Sequence, residues 1–428
     1  MTKTVSSIHL VKRLLTVAAV LVAPLVAAQT YQGPSVPVPA SYFGMHFHKL
    51  DAGTAWPRDA GIGSWRLWDA GVLWADIETQ KGRRDFTKLD RYVAMANLLK
   101  IDLAMTLGMT PTWASARPAE KAPYGPGKAA EPRDIADWED FVSAVAKRYA
   151  GRVKTYDIWN EVNAGTGFFT GTPQAMLELQ RTAYRRIKDV DPTAIVVSPS
   201  TVGWSDHQLK WFDDYLGLGA GRYADAIGYH FYLPRERPEE LIRLIRKVRE
   251  IMDRRGLSSK PLWNTESGYR VDLGQGDRAV ATDPTWPKLD EATTAAYVAR
   301  SLIIGWMSGL NRFYWYAWDN GEMGFMRPDA STTPAAAAYG KVARWLTGSV
   351  VERCQAVRGL WRCDLSRDQA HAWIVWRESD SADLDPSVVR GAFCREQADG
   401  LSEAWKADQK VQAGPMPILF TDCNARWR

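Results

Sequence analysis

Two glutamates follow apolar segments that have the pattern of β-strands. Glu161 comes directly after the segment 156–160 (YDIWN), and Glu266 comes directly after the segment 262–265 (LWNT). A carboxylate at the end of an apolar strand is costly unless it is paired or takes part in chemistry. Cleavage of a glycosidic bond needs one carboxylic acid to protonate the leaving oxygen and a second carboxylate across the sugar. Either glutamate alone could form a salt bridge, but the two together predict such a catalytic pair.

The segments that would position these glutamates alternate between strand and helix patterns over residues 41–346. The strand candidates are 41–48, 63–69, 101–108, 153–160, 193–199, 225–232, 260–266 and 312–318. Apolar residues at three- and four-residue steps predict helices at 88–100, 135–149, 173–190, 238–255 and 291–308. Eight such units predict an α/β fold, a (β/α)8 TIM barrel whose fourth and seventh strands end at the glutamates. An open doubly wound sheet is the alternative, but no glycine-rich phosphate loop follows the first strand.

Two long irregular loops, 114–133 and 267–290, follow the third and seventh strands. Barrel enzymes place their sites at the carboxyl ends of the strands, so both loops are expected to form walls of a cleft. The expected domains are a signal peptide at 1–28, the catalytic barrel at 29–346 and a small β-rich domain at 347–428.

The segments around both glutamates resemble clan A glycoside hydrolases, and most of all glycoside hydrolase family 39, which contains β-xylosidases and bacterial exopolysaccharide-cleaving enzymes. The resemblance covers about 41–346 and rests on the runs 65–69 (WRLWD), 74–78 (WADIE), 85–86 (DF), 111–115 (PTWAS), 159–161 (WNE) and 263–266 (WNTE). It implies a retaining double displacement with Glu161 as general acid/base and Glu266 as nucleophile. It also implies that Asn160 contacts the sugar 2-hydroxyl and that His230 and Tyr232 lie beside the nucleophile. The C-terminal segment is smaller than the β-sandwich of the family's xylosidases. We therefore do not assign the substrate of those xylosidases to this chain.

Strand alternation and the resemblance suggest further substrate-binding residues. Arg66 would point into the barrel, where the Glu266 carboxylate is its natural partner and would be kept ionised by it. A purely structural salt bridge is the alternative for Arg66. Trp113 lies in one of the family-like runs and is expected to contact the sugar. Strict alternation would turn Asn160 away from Glu161, which the family resolves by irregular geometry at the strand end.

The last barrel strand is rich in aromatic residues. Alternation puts Tyr314, Tyr316 and Trp318 on one face and Trp315 on the other. Trp318 is the expected platform under the reacting sugar. Trp315 is a second candidate for sugar contact, with a place in the core as the alternative.

His46 and His48 on the first strand suggest an alternative, metal-dependent hydrolase site, which His230 and Asp319 could extend. The remaining ligands of such barrel sites are missing from the fourth and fifth strands, and two histidines alone would bind zinc poorly. We therefore expect no metal or other cofactor, and expect His46 and His48 to contact substrate or support the barrel. A barrel that only binds polysaccharide would not need both glutamates, whereas a transglycosylase would use the same pair.

The first 28 residues have the pattern of an export signal. Basic residues precede the apolar run 14–28, which ends in small residues before Gln29. The run is shorter than the roughly 20 residues that span a bilayer, which argues against a membrane anchor. Removal of three basic and no acidic residues would lower the formal net charge from +5 to +2. We expect an exported chain, periplasmic or secreted, that acts on a polysaccharide or oligosaccharide and not on nucleic acid.

All four cysteines lie in the C-terminal part, at 354, 363, 394 and 423. An even number in an exported chain predicts two disulfides with three possible connectivities. Cys354 and Cys363 flank a plausible turn at 358–359, which favours a bridge across a hairpin and leaves Cys394 to pair with Cys423. A zinc site is the alternative, but the usual spacing of two residues between ligands is absent.

Overall fold

The computed structural model describes residues 28–50, 53–164, 167–274, 286–400, 402–405, 409–423 and 427. The expected signal peptide therefore lies outside the described residues, apart from its last position. Within the described ranges, none of the helices combines the length and the apolar character needed to cross a membrane.

Nine parallel strands form the barrel sheet. They follow the N-terminal strand β1 (Gln29–Gln32), which is not part of this sheet. They are β2 (Phe43–His46), β3 (Ser64–Leu67), β4 (Asp102–Leu107), β5 (Thr155–Ile158), β6 (Ile195–Val197), β7 (Thr201–Val202), β8 (Ile227–His230), β9 (Leu262–Ser267) and β10 (Leu310–Trp315). Their spatial order is β6-β5-β4-β3-β2-β10-β9-β8-β7. Each of the eight sequence segments predicted as strands overlaps one of these strands, which confirms the (β/α)8 barrel.

The fifth barrel strand is interrupted, and this interruption lies where the ring closes. Its first half, β6, pairs with β5, and its second half, β7, pairs with β8. The residues between them include Pro199, which has no amide hydrogen to donate to a ladder. A single bridge from Val197 to Ala226 joins β6 to the start of β8 and closes the sheet. The sequence predicted a single strand at 193–199, which covers β6 but not β7.

Eight α-helices cover the outside of the barrel in the described residues. They are α1 (Trp74–Ile77), α2 (Thr87–Leu99), α3 (Ile135–Tyr149), α4 (Pro173–Val190), α5 (Asp206–Gly217), α6 (Leu241–Arg254), α7 (Glu291–Met307) and α8 (Pro334–Leu346). Side-chain caps start several of them, as at Asp134, Thr172, Ser205 and Asp290. The sequence pattern predicted five of these helices and did not predict α1, α5 or α8.

A second, antiparallel sheet follows the barrel. Its strands and those of a small two-stranded ribbon are β11 (Val350–Val357), β12 (Leu360–Arg367), β13 (Ala370–Arg377), β14 (Ala382–Asp383), β15 (Cys394–Gln397), β16 (Ser402–Ala404), β17 (Gln412–Ala413) and β18 (Ile418–Thr421). The sheet order is β1-β11-β12-β13-β18-β15-β16, and β14 pairs with β17. The N-terminal strand β1 thus belongs to this sheet, so the boundary expected at residue 29 does not mark the start of the barrel.

Two disulfides brace this second sheet. Cys354 and Cys363 face each other across the β11–β12 hairpin and are bonded, and Cys394 is bonded to Cys423. Both predicted pairings are therefore confirmed. The sheet packs against the barrel through polar contacts, among them a hydrogen bond of 2.9 Å from the Trp376 indole nitrogen to a Glu239 carboxylate oxygen.

Candidate active site

Glu266 lies inside the barrel mouth at the carboxyl end of β9. The pairing of β8 with β9 shifts register here, so that Tyr229 pairs with Asn264 but His230 pairs with Glu266. Such an irregularity re-aims the side chains that follow it. The Glu266 carboxyl is almost fully buried, with its residue 6% exposed.

Arg66, on β3, is the centre of the polar contacts around Glu266. Its guanidinium is fully buried and donates hydrogen bonds of 3.0 Å to Glu266, 2.7 Å to Asp157 and 2.8 Å to the Asn160 side-chain oxygen. The other Glu266 oxygen accepts a hydrogen bond of 2.9 Å from the Tyr232 hydroxyl. Both Glu266 oxygens thus have donors that favour the ionised form. The predicted partnership of Arg66 with Glu266 is confirmed, and Asp157 is a partner that the sequence did not suggest.

Glu161 reaches the same mouth from an irregular segment after β5. This strand ends at Ile158, and both Trp159 and Glu161 have left-handed backbone, with φ of 59° and 43°. Residues other than glycine rarely adopt this conformation, and it concentrates at functional sites. Because the strand has already ended, alternation no longer decides which way the side chains point. Asn160 can therefore face Arg66 while its neighbour Glu161 reaches the carboxyl of Glu266.

His230 joins the two glutamates. Its Nδ1 lies 2.9 Å from a Glu161 carboxyl oxygen and 3.8 Å from a Glu266 oxygen. One ligand-type atom from each of the three residues lies within 4.8 Å of the other two. The structure therefore brings together Glu161, Glu266, His230 and Tyr232, as the sequence predicted.

Burial controls the protonation of this group. It raises the pKa of both Glu161 and Glu266 to about 7, against the attraction of Arg66. The repulsion between the two carboxyls adds to the rise for Glu266. Burial also lowers the pKa of His230 to about 4, so its ring is neutral at neutral pH. The centre thus holds one permanent cation, Arg66, close to three carboxyl groups including that of Asp157.

The first-strand histidines do not form the alternative metal site. His46 Nε2 lies 3.2 Å from the Thr265 carbonyl, so this nitrogen carries the proton and donates. Burial and the nearby Arg66 charge lower the pKa of His46 well below its usual value. His48 packs its ring against Tyr316, with centroids 4.9 Å apart. Among the described residues, the group whose atoms could meet at one ion is Glu161, His230 and Glu266, which includes neither histidine.

The tryptophans chosen from the last strand do not line the catalytic centre. Trp315 is 1% exposed and stacks on Phe313 at 6.1 Å, in the layer between the sheet and the helices. Trp318 is buried between Phe47 and Phe325. Both assignments to substrate binding are wrong, and for Trp318 the reason is that β10 ends at Trp315, so alternation does not extend to it.

Tyr316 directly follows β10 and lies beside the first-strand histidines. Its ring lies 5.3 Å from that of His46, and its hydroxyl donates 2.7 Å to Asp69. The Tyr124 hydroxyl, from the long loop after the third strand, donates to the same carboxylate. Asp69 is the last residue of the family-like run 65–69, yet nothing in its spacing predicted two tyrosine partners. The rings of Trp68, Tyr124 and Phe168 complete an aromatic cluster beside Tyr316.

Two further tryptophans lie on the loops at the mouth. The Trp113 indole nitrogen donates 2.7 Å to the Glu78 carbonyl, and its ring lies edge-on to Trp74, so it supports the loop after the third strand. Its predicted contact with sugar stays a prediction. Trp286, which the sequence did not single out, lies edge-on to Tyr232 with centroids 5.1 Å apart. It belongs to the loop after the seventh strand, whose residues 275–285 lie outside the described ranges.

Comparison with known proteins agrees with this geometry. The model of glycosyl hydrolases family 39 matches residues 62–307, which is more than half of the chain. The chain belongs to this family. Family 39 membership makes the barrel a glycoside hydrolase domain, and double displacement with retention is the mechanism general to the family.

The individual relatives of this chain are distant in sequence. A β-xylosidase of Geobacillus stearothermophilus is 28% identical over 246 aligned residues, and the alignment covers 52% of this chain and 46% of that relative. The chain thus spans about half the length of this curated relative. A family 39 glycoside hydrolase from the gut symbiont Bacteroides cellulosilyticus WH2 superposes with a TM-score of 0.70 at 16% identity, covering 90% of this chain and 81% of that one. A monomeric β-xylosidase from Caulobacter crescentus CB15 gives 0.63 at 17% identity, covering 91% and 97%. At these identities the superpositions show the fold alone.

Proposed function

We propose that this chain is an exported retaining glycosidase that cleaves β-linked sugars, with Glu266 as nucleophile and Glu161 as general acid/base. The observation that carries the proposal is the approach of carboxyl oxygens of Glu161 and Glu266 to within 4.8 Å. Retaining enzymes have their carboxyl groups about 5–5.5 Å apart, whereas inverting enzymes need about 6.5–9.5 Å to admit a water molecule. A closest approach of this size is shorter than the separation that inverting enzymes need for that water, which favours direct attack on the sugar by the second carboxylate.

The contacts divide the roles between the two glutamates. Glu266 accepts hydrogen bonds from Arg66 and Tyr232, both of which stabilise a carboxylate. Glu161 has the neutral His230 ring as its neighbour and is raised in pKa by burial. With one cation among three carboxyls, a proton is retained near neutral pH, and Glu161 is the favoured site for it. Glu161 then protonates the leaving oxygen while Glu266 attacks the anomeric carbon.

Two buried side-chain nitrogen atoms next to the carboxyls are available to sugar hydroxyls. The Asn160 amide is oriented by Arg66, which occupies its oxygen, so its nitrogen faces away from the guanidinium. That nitrogen and Nε2 of His230 are buried and have no hydrogen-bond partner within the described residues. A buried donor without a partner costs about 1–3 kcal/mol, which a bound hydroxyl would recover. These atoms support the expected contact of Asn160 with the 2-hydroxyl.

β-Xylosides are the substrate class that we propose to test first, because the Geobacillus stearothermophilus relative is a β-xylosidase. The export pattern before Gln29 supports action on carbohydrate outside the cytoplasm.

The stereochemistry of the first product tests the proposal. Wild-type protein given an activated aryl β-xyloside should release the β-hemiacetal first, seen by NMR before mutarotation. Azide should rescue both truncated variants but with opposite outcomes. Glu266→Ala should form the α-glycosyl azide, because azide replaces the nucleophile in a single inversion. Glu161→Ala should form the β-glycosyl azide, because azide intercepts the covalent intermediate. An α-hemiacetal as the first product would show inversion and overturn the assignment of Glu266.

A further inference from the structure

Trp204 is the exception among the tryptophans of this chain. All twenty lie in the described ranges, and Trp204 is 50% exposed while every other one is buried or half-buried. Exposure of a large flat apolar ring to water is unfavourable, but single exposed apolar side chains are common, so the position of Trp204 decides what it can bind. Neither the catalytic pair nor the aromatic cluster around Tyr316 includes this ring.

The position of Trp204 follows from β7, which ends two residues before it at Val202. Val202 pairs in register with His230, whose ring contacts the acid/base. Trp204 also follows the carboxyl end of a barrel strand, the face on which barrel enzymes hold substrate. Two residues extend at most about 7 Å, so the ring is anchored close to the catalytic mouth.

The segment that carries Glu161 is fastened to the same strand. The Val162 amide donates 3.2 Å to the Ser200 carbonyl. Asn163 makes two hydrogen bonds of 2.9 Å with the backbone of Val202, one to its carbonyl and one from its amide. The loop that presents the acid/base and the loop that presents Trp204 are therefore neighbours at the mouth.

The backbone on both sides of Trp204 is also fixed. The carbonyl of Gly203 accepts a hydrogen bond of 2.6 Å from the buried Tyr229 hydroxyl, and Gly203 has a φ of 120° that favours glycine. The next residue, Ser205, caps α5 in a reciprocal capping box with Gln208. The exposed ring is thus held on a short, anchored segment.

The order of the barrel strands indicates on which side of the catalytic pair Trp204 lies. The aromatic cluster of Tyr316, Trp68 and Tyr124 comes from the eighth and second strands and the loop after the third. Trp204 follows the fifth strand, across the ring from the first, on the segment whose preceding residues are hydrogen-bonded to Val162 and Asn163 beside the acid/base. The acid/base contacts the leaving oxygen, so its neighbours face the leaving group.

We propose that Trp204 stacks against the sugar unit on the leaving-group side, so that the preferred substrate is an oligosaccharide or polysaccharide chain. This inference rests on the proposed role of Glu161 as acid/base. A flat indole is tolerant of sugar identity, because pyranose rings with equatorial hydroxyls share an apolar face. Stacking on the Trp204 ring would therefore strengthen the binding of a carbohydrate leaving group more than the binding of a short aryl leaving group.

The test compares chain and aryl substrates in three variants. The probes are xylohexaose with nitrophenyl β-xyloside, and cellohexaose with nitrophenyl β-glucoside. Trp204→Ala should lower the ratio of kcat/KM for hexaose to kcat/KM for the aryl glycoside about fivefold to tenfold, the effect expected of one aromatic contact. Trp204→Tyr should recover much of this ratio. Phe393→Ala, which removes an aromatic side chain 61% exposed on the second sheet, is the matched control and should leave the ratio unchanged.

Each outcome of this test has a separate meaning. A ratio that is the same in Trp204→Ala and wild type, whether or not both rates fall together, overturns the stacking role. An equal fall in Phe393→Ala also overturns it. Failure of the wild-type protein to cleave any of the four probes counts against the proposed function itself, before Trp204 is considered.

Discussion

Replacement of Glu161 by glutamine should stabilise the fold at alkaline pH while removing most of the activity. Burial raises the pKa of this carboxyl from 4.5 to about 7. The extra proton affinity of the folded state stabilises it fully below the unfolded pKa and is lost as the pH rises through about 7. Ionised Glu161 is therefore a cost to the fold at alkaline pH, and a neutral amide does not carry this cost.

The size of the effect follows from the pKa difference. At 1.36 kcal/mol per pKa unit, a rise from 4.5 to about 7 corresponds to about 3 kcal/mol. The Glu161 side chain is 14% exposed, so solvent screening reduces this only modestly. The free energy of unfolding of Glu161→Gln, relative to wild type, should increase by about 2–3 kcal/mol between about pH 4 and about pH 8. The amide can still bond to His230, so little packing is lost.

Urea unfolding with the disulfides intact, followed by tryptophan fluorescence at the two pH values, measures this difference. Glu178→Gln is the matched control, since its carboxyl on α4 is 52% exposed and should give the same stability as wild type at both pH values. A Glu161→Gln variant whose relative stability does not change with pH would refute the reasoning. So would a stabilisation that appears only at acidic pH.

Three further outcomes are expected. The pH profile of kcat/KM for an activated aryl glycoside should lose its basic limb in Glu161→Gln, and a surviving limb would mean that another group sets it. Tyr232→Phe removes a donor to the Glu266 carboxylate, so the acidic limb should move to higher pH and kcat/KM should fall about 10- to 100-fold; an unmoved limb would exclude this contact. Replacement of Cys394 and Cys423 by serine opens a crosslink between residues 29 apart and should cost about 3–4 kcal/mol of unfolding free energy in urea. A loss below that of opening the shorter Cys354–Cys363 loop would contradict the chain-entropy argument.

The sequence predicted the parts of this fold that depend on local periodicity. Strand and helix patterns located the barrel, and the apolar segments before Glu161 and Glu266 located the catalytic mouth. The interruption of the fifth strand was missed, because a proline after an apolar run looks the same as a strand end. The placement of β1 in the second sheet was missed for a different reason, since pairing over more than 300 residues leaves no local pattern.

The residues around the carboxyls were predictable by alternation where the strands are regular, and by the resemblance beyond the strand ends. Arg66 lies within β3 and Tyr232 lies two residues after the end of β8, and both contact Glu266. Trp318 was wrongly chosen because the strand ends before it, whereas Tyr316, which is hydrogen-bonded to Asp69, lies beside His46. Asp157 is also a partner of Arg66. Alternation could have suggested this contact, because Asp157 lies on β5, the strand that leads to Glu161.

The residue that carries the covalent sugar tests the central assignment most directly. An activated β-xyloside with fluorine in place of the 2-hydroxyl should form the glycosyl-enzyme and accumulate, because fluorine slows its hydrolysis. Proteolysis and tandem mass spectrometry then locate the label. We predict one sugar attached to Glu266, and no label in Glu266→Gln under the same conditions. A sugar attached to Glu161, or to any residue other than Glu266, would contradict the account.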